Sequence, residues 1–232
     1  MGFNKKFFTT GGIVASSPAS AFPNDEISLW EFEQNKPFED TNNVNDGTGV
    51  GVLITSAGNT PFGNEHGNWD NSNDYVDVGL SNLPSDFTFS AWFKVADKSF
   101  FRPIIGKWFD GANRDFQLCL FGTSVSYPNG AVAFLYSDAG SDQLTYVHTD
   151  TYSTNDWQFV AISFDDQNQF IFNFNGVNET VPISITQNRN TQNVLIGQED
   201  YRRGDSVRGY IDQVRYFDRA LSADELNALY NE

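Results

Sequence analysis

Glu31 and Glu33 are the first residues of this chain whose type and spacing bear on chemistry. Side chains alternate along a strand, so two acids two positions apart share a face. A retaining glycosidase needs two carboxylates roughly 5 Å apart, and an alternating pair is one way to supply them. These two, however, lie on the strand that opens the apolar part of the chain, where solvent-facing edge acids are the plainer reading. The histidines, His66 and His148, are far apart in sequence and have no serine or cysteine in a nucleophile motif. No phosphate loop and no His/Cys metal spacing occurs. The chain is therefore read as non-enzymatic, with a polysaccharide hydrolase or lyase using Glu31 or Glu33 as the third of three functional readings.

A binding chemistry is better supplied. Trp69, Trp108, Tyr127 and Tyr201 follow or sit among Gly, Asn and Asp residues, and Arg202 follows the last of them. An indole or phenol face stacks on the C–H surface of a sugar while Asn, Asp and Arg give directional bonds. Such residues, exposed on loops, are the candidate ligand site. For each, the bland alternative is an aromatic folded back onto the core. Asp70-Asn71-Ser72-Asn73-Asp74 is rich in oxygen but lacks the spacing and Glu of an EF-hand loop, and reads as a polar turn. Asn178-Glu179-Thr180 is a glycosylation sequon only in a host that glycosylates, and Arg203-Gly204-Asp205 is a chance-level tripeptide.

The elements that must position these residues end in the most informative stretch, 209–226. It reads as a strand, a turn and a capped helix. Period two places Tyr210, Asp212, Val214 and Tyr216 on one face of the strand. Ser222 and Glu225 have capping-box spacing, with Leu221 and Leu226 as a hydrophobic staple. Asp212 is the awkward residue, because a buried unpaired carboxylate is costly. It needs donors, a cation or water; backbone N–H groups, Arg215 and Arg219 are the candidate donors.

Composition agrees with strands. Of 232 residues, 16% are aromatic and 22 are Phe, residues that favour a half-buried pleated surface. The formal net charge is −16, the wrong sign for a nucleic-acid binder and compatible with hard cations. The single cysteine, Cys119, excludes an internal disulfide and lies in an apolar strand. No apolar run is long enough to span a membrane. Strands are predicted at 27–33, 49–54, 74–78, 87–95, 102–108, 115–121, 130–136, 143–148, 157–164, 169–175 with a hairpin partner after Asn175-Gly176, 192–197 and 209–217. Turn signals recur about every ten residues, the spacing of sandwiches and barrels. The only predicted helix is 222–230.

The ordered motifs resemble the laminin-G-like family of concanavalin A-like jelly rolls over about residues 27–230. They are Leu29-Trp30-Glu31-Phe32-Glu33, Asp74-Tyr75-Val76-Asp77-Val78, Phe87-Thr88-Phe89-Ser90-Ala91-Trp92-Phe93, Ile104-Ile105-Gly106-Lys107, Asn155-Asp156-Trp157, Phe172-Asn173-Phe174-Asn175-Gly176, Leu195-Ile196-Gly197 and Gly209-Tyr210-Ile211-Asp212-Gln213-Val214-Arg215. The closing Arg219-Ala220-Leu221-Ser222-Ala223-Asp224-Glu225-Leu226 is the most specific piece. The resemblance implies an all-β sandwich of two antiparallel sheets with one short C-terminal helix, a lectin-like binding role, and use in larger extracellular proteins. Carried over by position, it also implies a structural calcium ion tying the opening strand to the closing one, near Glu33 and Asp212.

Residues 1–25 form an N-terminal arm ahead of a jelly-roll domain at 26–232. Lys5, Lys6 and Ala19-Ser20-Ala21 outline a secretion signal, but Thr9, Thr10, Gly11 and Gly12 interrupt its apolar centre. The stretch Asn4-Lys5-Lys6-Phe7-Phe8-Thr9-Thr10-Gly11-Gly12-Ile13-Val14-Ala15 is similar to the opening of virion structural proteins of marine bacteriophages. The expectation is a virion decoration or host-adhesion protein, docked on other virion proteins through residues 1–25. Host-surface glycans, and further copies of the chain as a homo-oligomer, are its other expected partners. The alternative is a secreted bacterial carbohydrate-binding module.

Overall fold

The structure, a computed structural model, describes residues 22–56, 60–70, 73–110, 113–123, 127–138, 142–165, 169–183, 188–200 and 206–232. Residues 1–21 of the expected arm, Tyr201, Arg202 and the Arg203-Gly204-Asp205 tripeptide lie outside them. In chain order the strands are Ser28–Trp30 (β1), Thr48–Val50 (β2), Leu53–Thr55 (β3), His66–Trp69 (β4), Tyr75–Asp77 (β5), Phe87–Val95 (β6), Arg102–Trp108 (β7) and Arg114–Leu120 (β8). Then come Ala131–Asp138 (β9), Asp142–Thr151 (β10), Gln158–Asp165 (β11), Gln169–Phe174 (β12), Val177–Pro182 (β13), Leu195–Ile196 (β14) and Gly209–Phe217 (β15), and the helix Ala223–Tyr230 (α1).

These strands form two antiparallel sheets. One runs β13-β12-β11-β6-β15-β4-β3, with β1 also paired to β15; the other runs β10-β9-β8-β7-β14-β5-β2. The main core lies between them. Phe87, Phe89, Ala91, Phe93 and Val95 all point into it from β6, as their alternation predicts. Phe89 stacks on Phe116 of the other sheet and on Tyr216 of its own, at 5.5 and 5.0 Å, contacts worth roughly 0.5–1.5 kcal/mol beyond buried area. β11 is apolar on both faces because it is covered on both. Val160, Ile162 and Phe164 face the main core, and Phe159 and Ala161 lie in a separate cluster with Phe217, Leu221, Leu226 and Leu229. That cluster is where α1 lies against the outer face of its sheet. Its capping box is formed, with Glu225 N donating to the Ser222 hydroxyl and Ser222 N to the Glu225 carboxylate. Cys119 is buried, its Sγ 3.7 Å from the Ala133 carbonyl, and burial holds its pKa well up.

The opening and closing strands meet as predicted. Ser28, Leu29 and Trp30 oppose Tyr216, Arg215 and Val214. At the other edge, Glu179 of β13 accepts hydrogen bonds from Tyr146 and Thr149 of β10, clasping the two sheets. The sequon is not presented, because the half-buried Asn178 donates its amide to Ala223 O and Asn227 Oδ1. Among the described residues no helix is long and apolar enough to cross a membrane.

Three expectations are corrected. The predicted strand 49–54 is two strands in different sheets. Gly51, at φ +74°, turns the chain from β2 to β3, and the Asp74 carboxylate occupies the space a Cβ would fill. β4 was read as loop, because His66-Gly67-Asn68-Trp69 shows no period-two apolar pattern. The shared face of Tyr210, Asp212, Val214 and Tyr216 does not exist. A β-bulge between Asp212 and Arg215, with Gln213 at φ +48°, shifts the register by one residue. Ile211, Val214 and Tyr216 face the main core, and Asp212 faces the other way.

Candidate functional site

The bulge at Asp212 lies where β15 changes neighbours. Gly209–Ile211 pair with β4, and Val214–Tyr216 with β1. Into that gap come Glu31 and Glu33, which follow β1. Asp212 is fully buried; its Oδ1 accepts the Gln213 N–H at 2.8 Å, and its Oδ2 has no partner. Burial, then the charges of Glu33 and Glu31, push its pKa to about 8 against the single Gln213 N–H and Arg215. Burial also raises the pKa of Glu33, against a hydrogen bond from Asn64 and with the added charges of Glu65 and Glu31. The sequence offered Arg215 and Arg219 as donors, and neither reaches Asp212. Arg215 pairs with Glu232 at 2.6 Å, and Arg219 with Asp25 and Glu225 at 2.7 and 2.8 Å. Glu31 accepts from Thr41 Oγ1 at 2.7 Å. Among the described residues no three His, Cys, Asp or Glu side chains gather tightly enough to hold a metal ion by themselves.

The aromatic candidates divide. Trp69 is 0% exposed, packed edge-on to Phe32 at 5.5 Å and pressed on Gly197. Trp108 is 3% exposed in a cluster with Cys119, Phe121 and Leu135. Both were offered as loop aromatics, although Trp108 also closes the predicted strand 102–108; both are strand residues, and strand burial removes their rings from solvent. Tyr127 is 42% exposed, stacked on Phe121 at 4.3 Å and donating to Thr145 Oγ1 at 3.3 Å. It is the candidate that the structure leaves accessible. Tyr201 and Arg202 lie outside the described residues.

A second feature lies on the same rim. The loops after β6, β8 and β10 are joined by backbone hydrogen bonds of 2.8 Å: Thr123 N to Lys98 O, Tyr152 N to Gly130 O, and Asn155 N to Val95 O. Buried Arg102 fixes them further, donating to Val207 O, Arg208 O and Asp97 Oδ1 at 2.5, 3.1 and 2.7 Å. The Ser99 N–H, then Arg102, holds Asp97 below the usual carboxylate range despite its partial burial. Arg208, at φ +46°, lies over the exposed Phe100 ring at 5.0 Å. Beside it opens a pocket of about 390 Å³ whose polar lining is Asn68, Asp70, Lys94, Asn155, Arg208 and Tyr210. Beneath Tyr210 lies His66, 1% exposed, edge-on to Tyr210 and Trp157 at 4.6 and 5.3 Å. Burial, then Lys94, lowers its pKa, so it acts as a neutral prop. Sequence reasoning missed this pocket. Its advance signals were Trp69, a candidate that does line the pocket, and Lys94, the one charged residue of the β6 strand in an acidic chain.

A sequence profile described as the Concanavalin A-like lectin/glucanases superfamily matches residues 70–227. No curated protein sequence matches the chain. Among solved structures, the receptor-binding domain of botulinum neurotoxin C/D mosaic serotype superposes with a TM-score of 0.68 at 17% identity, over 89% of this chain and 51% of that one. The binding domain of Paraclostridial Mosquitocidal Protein 1 gives 0.69 at 18%, over 89% and 52%. Domain 4 of AbnA, an extracellular arabinanase from Geobacillus stearothermophilus, solved with arabinotriose, gives 0.68 at 14%, over 89% and 98%. The chain spans about half the length of the two toxin fragments. At these identities the likeness is one of fold.

Proposed function

This chain belongs to the Concanavalin A-like lectin/glucanases superfamily, and we propose that it is a non-enzymatic glycan-binding jelly roll carried on a bacteriophage particle. The rim carries the binding half of this reading. An accessible aromatic, Tyr127, stands on one rim loop, and a pocket with amide, carboxylate, cationic and phenolic groups is built from the ends of β4, β6 and β15 and the loops beside them. The pocket's volume of about 390 Å³ lies within the range of small-ligand sites. A glycosidase needs two carboxylates, and this pocket offers Asp70 alone. Placement on a particle rests on the N-terminal sequence, through which the domain would dock on capsid or tail and present its rim to host-surface glycans.

Two measurements test it. A glycan array probed with the full chain is expected to give binding that Tyr210→Ala removes while the melting temperature stays within a few degrees. Mass spectrometry of purified virions is expected to find the chain. An empty array overturns the binding role, and absence from virions overturns the placement. A mature protein beginning at Phe22, after Ala19-Ser20-Ala21, would instead support a secreted bacterial carbohydrate-binding module.

A structural calcium ion is part of the same proposal. Asp212 and Glu33 are the residues that would hold it, with Glu31 beside them. The orphaned Oδ2 of buried Asp212 and its acidic surroundings suit a hard, oxygen-seeking cation. When bound, the ion would supply positive charge to a seam where Glu31, Glu33 and burial outweigh Arg215, and the role would be structural rather than catalytic.

A further inference from the structure

The cations of this chain are scarce, and several are spoken for. There are 14 against 30 acids. Arg102, Arg189, Arg215 and Arg219 each hold a carboxylate within 3.0 Å. Lys94 and Arg208 hold none among the described residues, although acids outnumber bases twofold. Both line the same pocket, beside the Tyr210 ring. In a protein of net charge −16, this pocket sets two cations against one carboxylate, Asp70. Arg208 is also held in place. Its carbonyl accepts from buried Arg102, and its guanidinium rests on Phe100. A guanidinium fixed in this way is pre-organised for a planar carboxylate.

Resting on the glycan-binding reading, we infer that this pocket takes a carboxylate-bearing sugar. Arg208 and Lys94 meet the carboxylate. Tyr210 lies against the ring, its own position set by the buried His66. Asn68 and Asn155 donate to or accept from ring hydroxyls, and Asp70 accepts from one. Asp70 also penalises a second negative group close by, which selects a singly charged unit over a densely sulfated one.

The test uses the full chain in calorimetric titration against three sets of probes. These are oligogalacturonate and sialyllactose, their methyl esters, which keep the shape and remove the charge, and a sulfated oligosaccharide. The acids are expected to bind at least about tenfold tighter than their esters, and to weaken with added salt where the esters do not. Lys94→Gln and Arg208→Gln are each expected to weaken acid binding roughly tenfold or more, to weaken ester binding by a smaller factor so that the acid-over-ester preference falls, and to leave the melting temperature unchanged. Equal binding of acid and ester, or preference for the sulfated probe, overturns the inference and leaves a glycan-binding domain. Tight acid binding indifferent to both variants overturns the assignment to this pocket. No binding to any probe, coupled with an empty glycan array, removes the underlying reading as well.

Discussion

Asp40 and Asp212 are both fully buried carboxylates, and their surroundings give them opposite effects on stability. Burial alone would raise the pKa of Asp40. Four backbone N–H groups, from Leu29, Asn42, Val44 and Asn45 at 2.8–3.1 Å, outweigh it and hold the pKa down. Its contribution is present above the unfolded pKa and is lost as pH falls through the folded one. Asp40→Ala should therefore cost roughly 2–4 kcal/mol by chemical denaturation at neutral pH, since the Leu29 N–H is left buried and unpaired. Asp212 has one such donor, and its pKa rises to about 8. The folded state then holds a proton that the unfolded state has released, so stability is lost as pH rises from the unfolded pKa of 3.8 towards 8, with a slope of about 1.4 kcal/mol per pH unit. In EDTA, Asp212→Asn should flatten that slope and be the more stable protein at pH 7.5. With millimolar calcium the wild type should regain stability and the variant should not. A difference between the two proteins that is independent of pH would overturn the burial argument, and equal calcium responses would overturn the ion site.

Among the elements, α1 separates capping from packing. Ser222→Ala removes one side of the capping box and should cost about 1 kcal/mol. Leu226→Ala opens a void over Phe159 and Phe217 and should cost roughly 2–5 kcal/mol. The reverse order in urea melts would mean that α1 is held by its own propensity rather than by the sheet. This helix was legible in the sequence because its signals are local: a cap, a staple and an apolar stripe. β6 was legible for the same reason, its period-two run being long. β4 was not, since four residues containing Gly67 carry no alternation, and only pairing with β15 and β3 makes them a strand. The bulge at Gln213 was equally hidden, because it answers to a change of neighbour on β15 rather than to anything within 209–217. The site divided along that line. Tyr127 is accessible on its loop, whereas Trp69 is buried in a strand that its composition does not reveal and Trp108 at the end of a strand, 102–108, that its sequence does. Lys94, Asn155, Arg208 and Tyr210 are brought together by long-range pairing alone. That long-range pairing also keeps Asp212 away from both arginines expected to serve it.

At the scale of the whole molecule, the last of the described strands in chain order is a central one. β15 lies between β6 on one side and β4 and β1 on the other. Until it is present, β1, β3 and β4 have no connection through the sheet to β6, β11 and β12. Trp30 and Trp69, both fully buried, then lose the β15 residues they pair with, Val214 and Gly209. Pairings this distant in sequence must pay loop-closure entropy before they return any contact, which places folding in the millisecond-to-second range. A chain ending at residue 208 should therefore show no cooperative thermal transition. A chain ending at residue 218 keeps β15 and loses the plug formed by Leu221, Leu226 and Leu229, with the Arg219–Asp25 and Arg215–Glu232 ion pairs. It should still melt cooperatively, at a lower temperature, and bind a hydrophobic dye through the uncovered Phe159 and Phe217. The two truncations differ by ten residues but fall on opposite sides of the cooperative unit. If residues 1–208 melted as one unit, β15 would be an addition to a finished sandwich, and the seam at Asp212 would join two structures that are each stable alone. The pairing of β15 with three different strands argues that neither part stands without it.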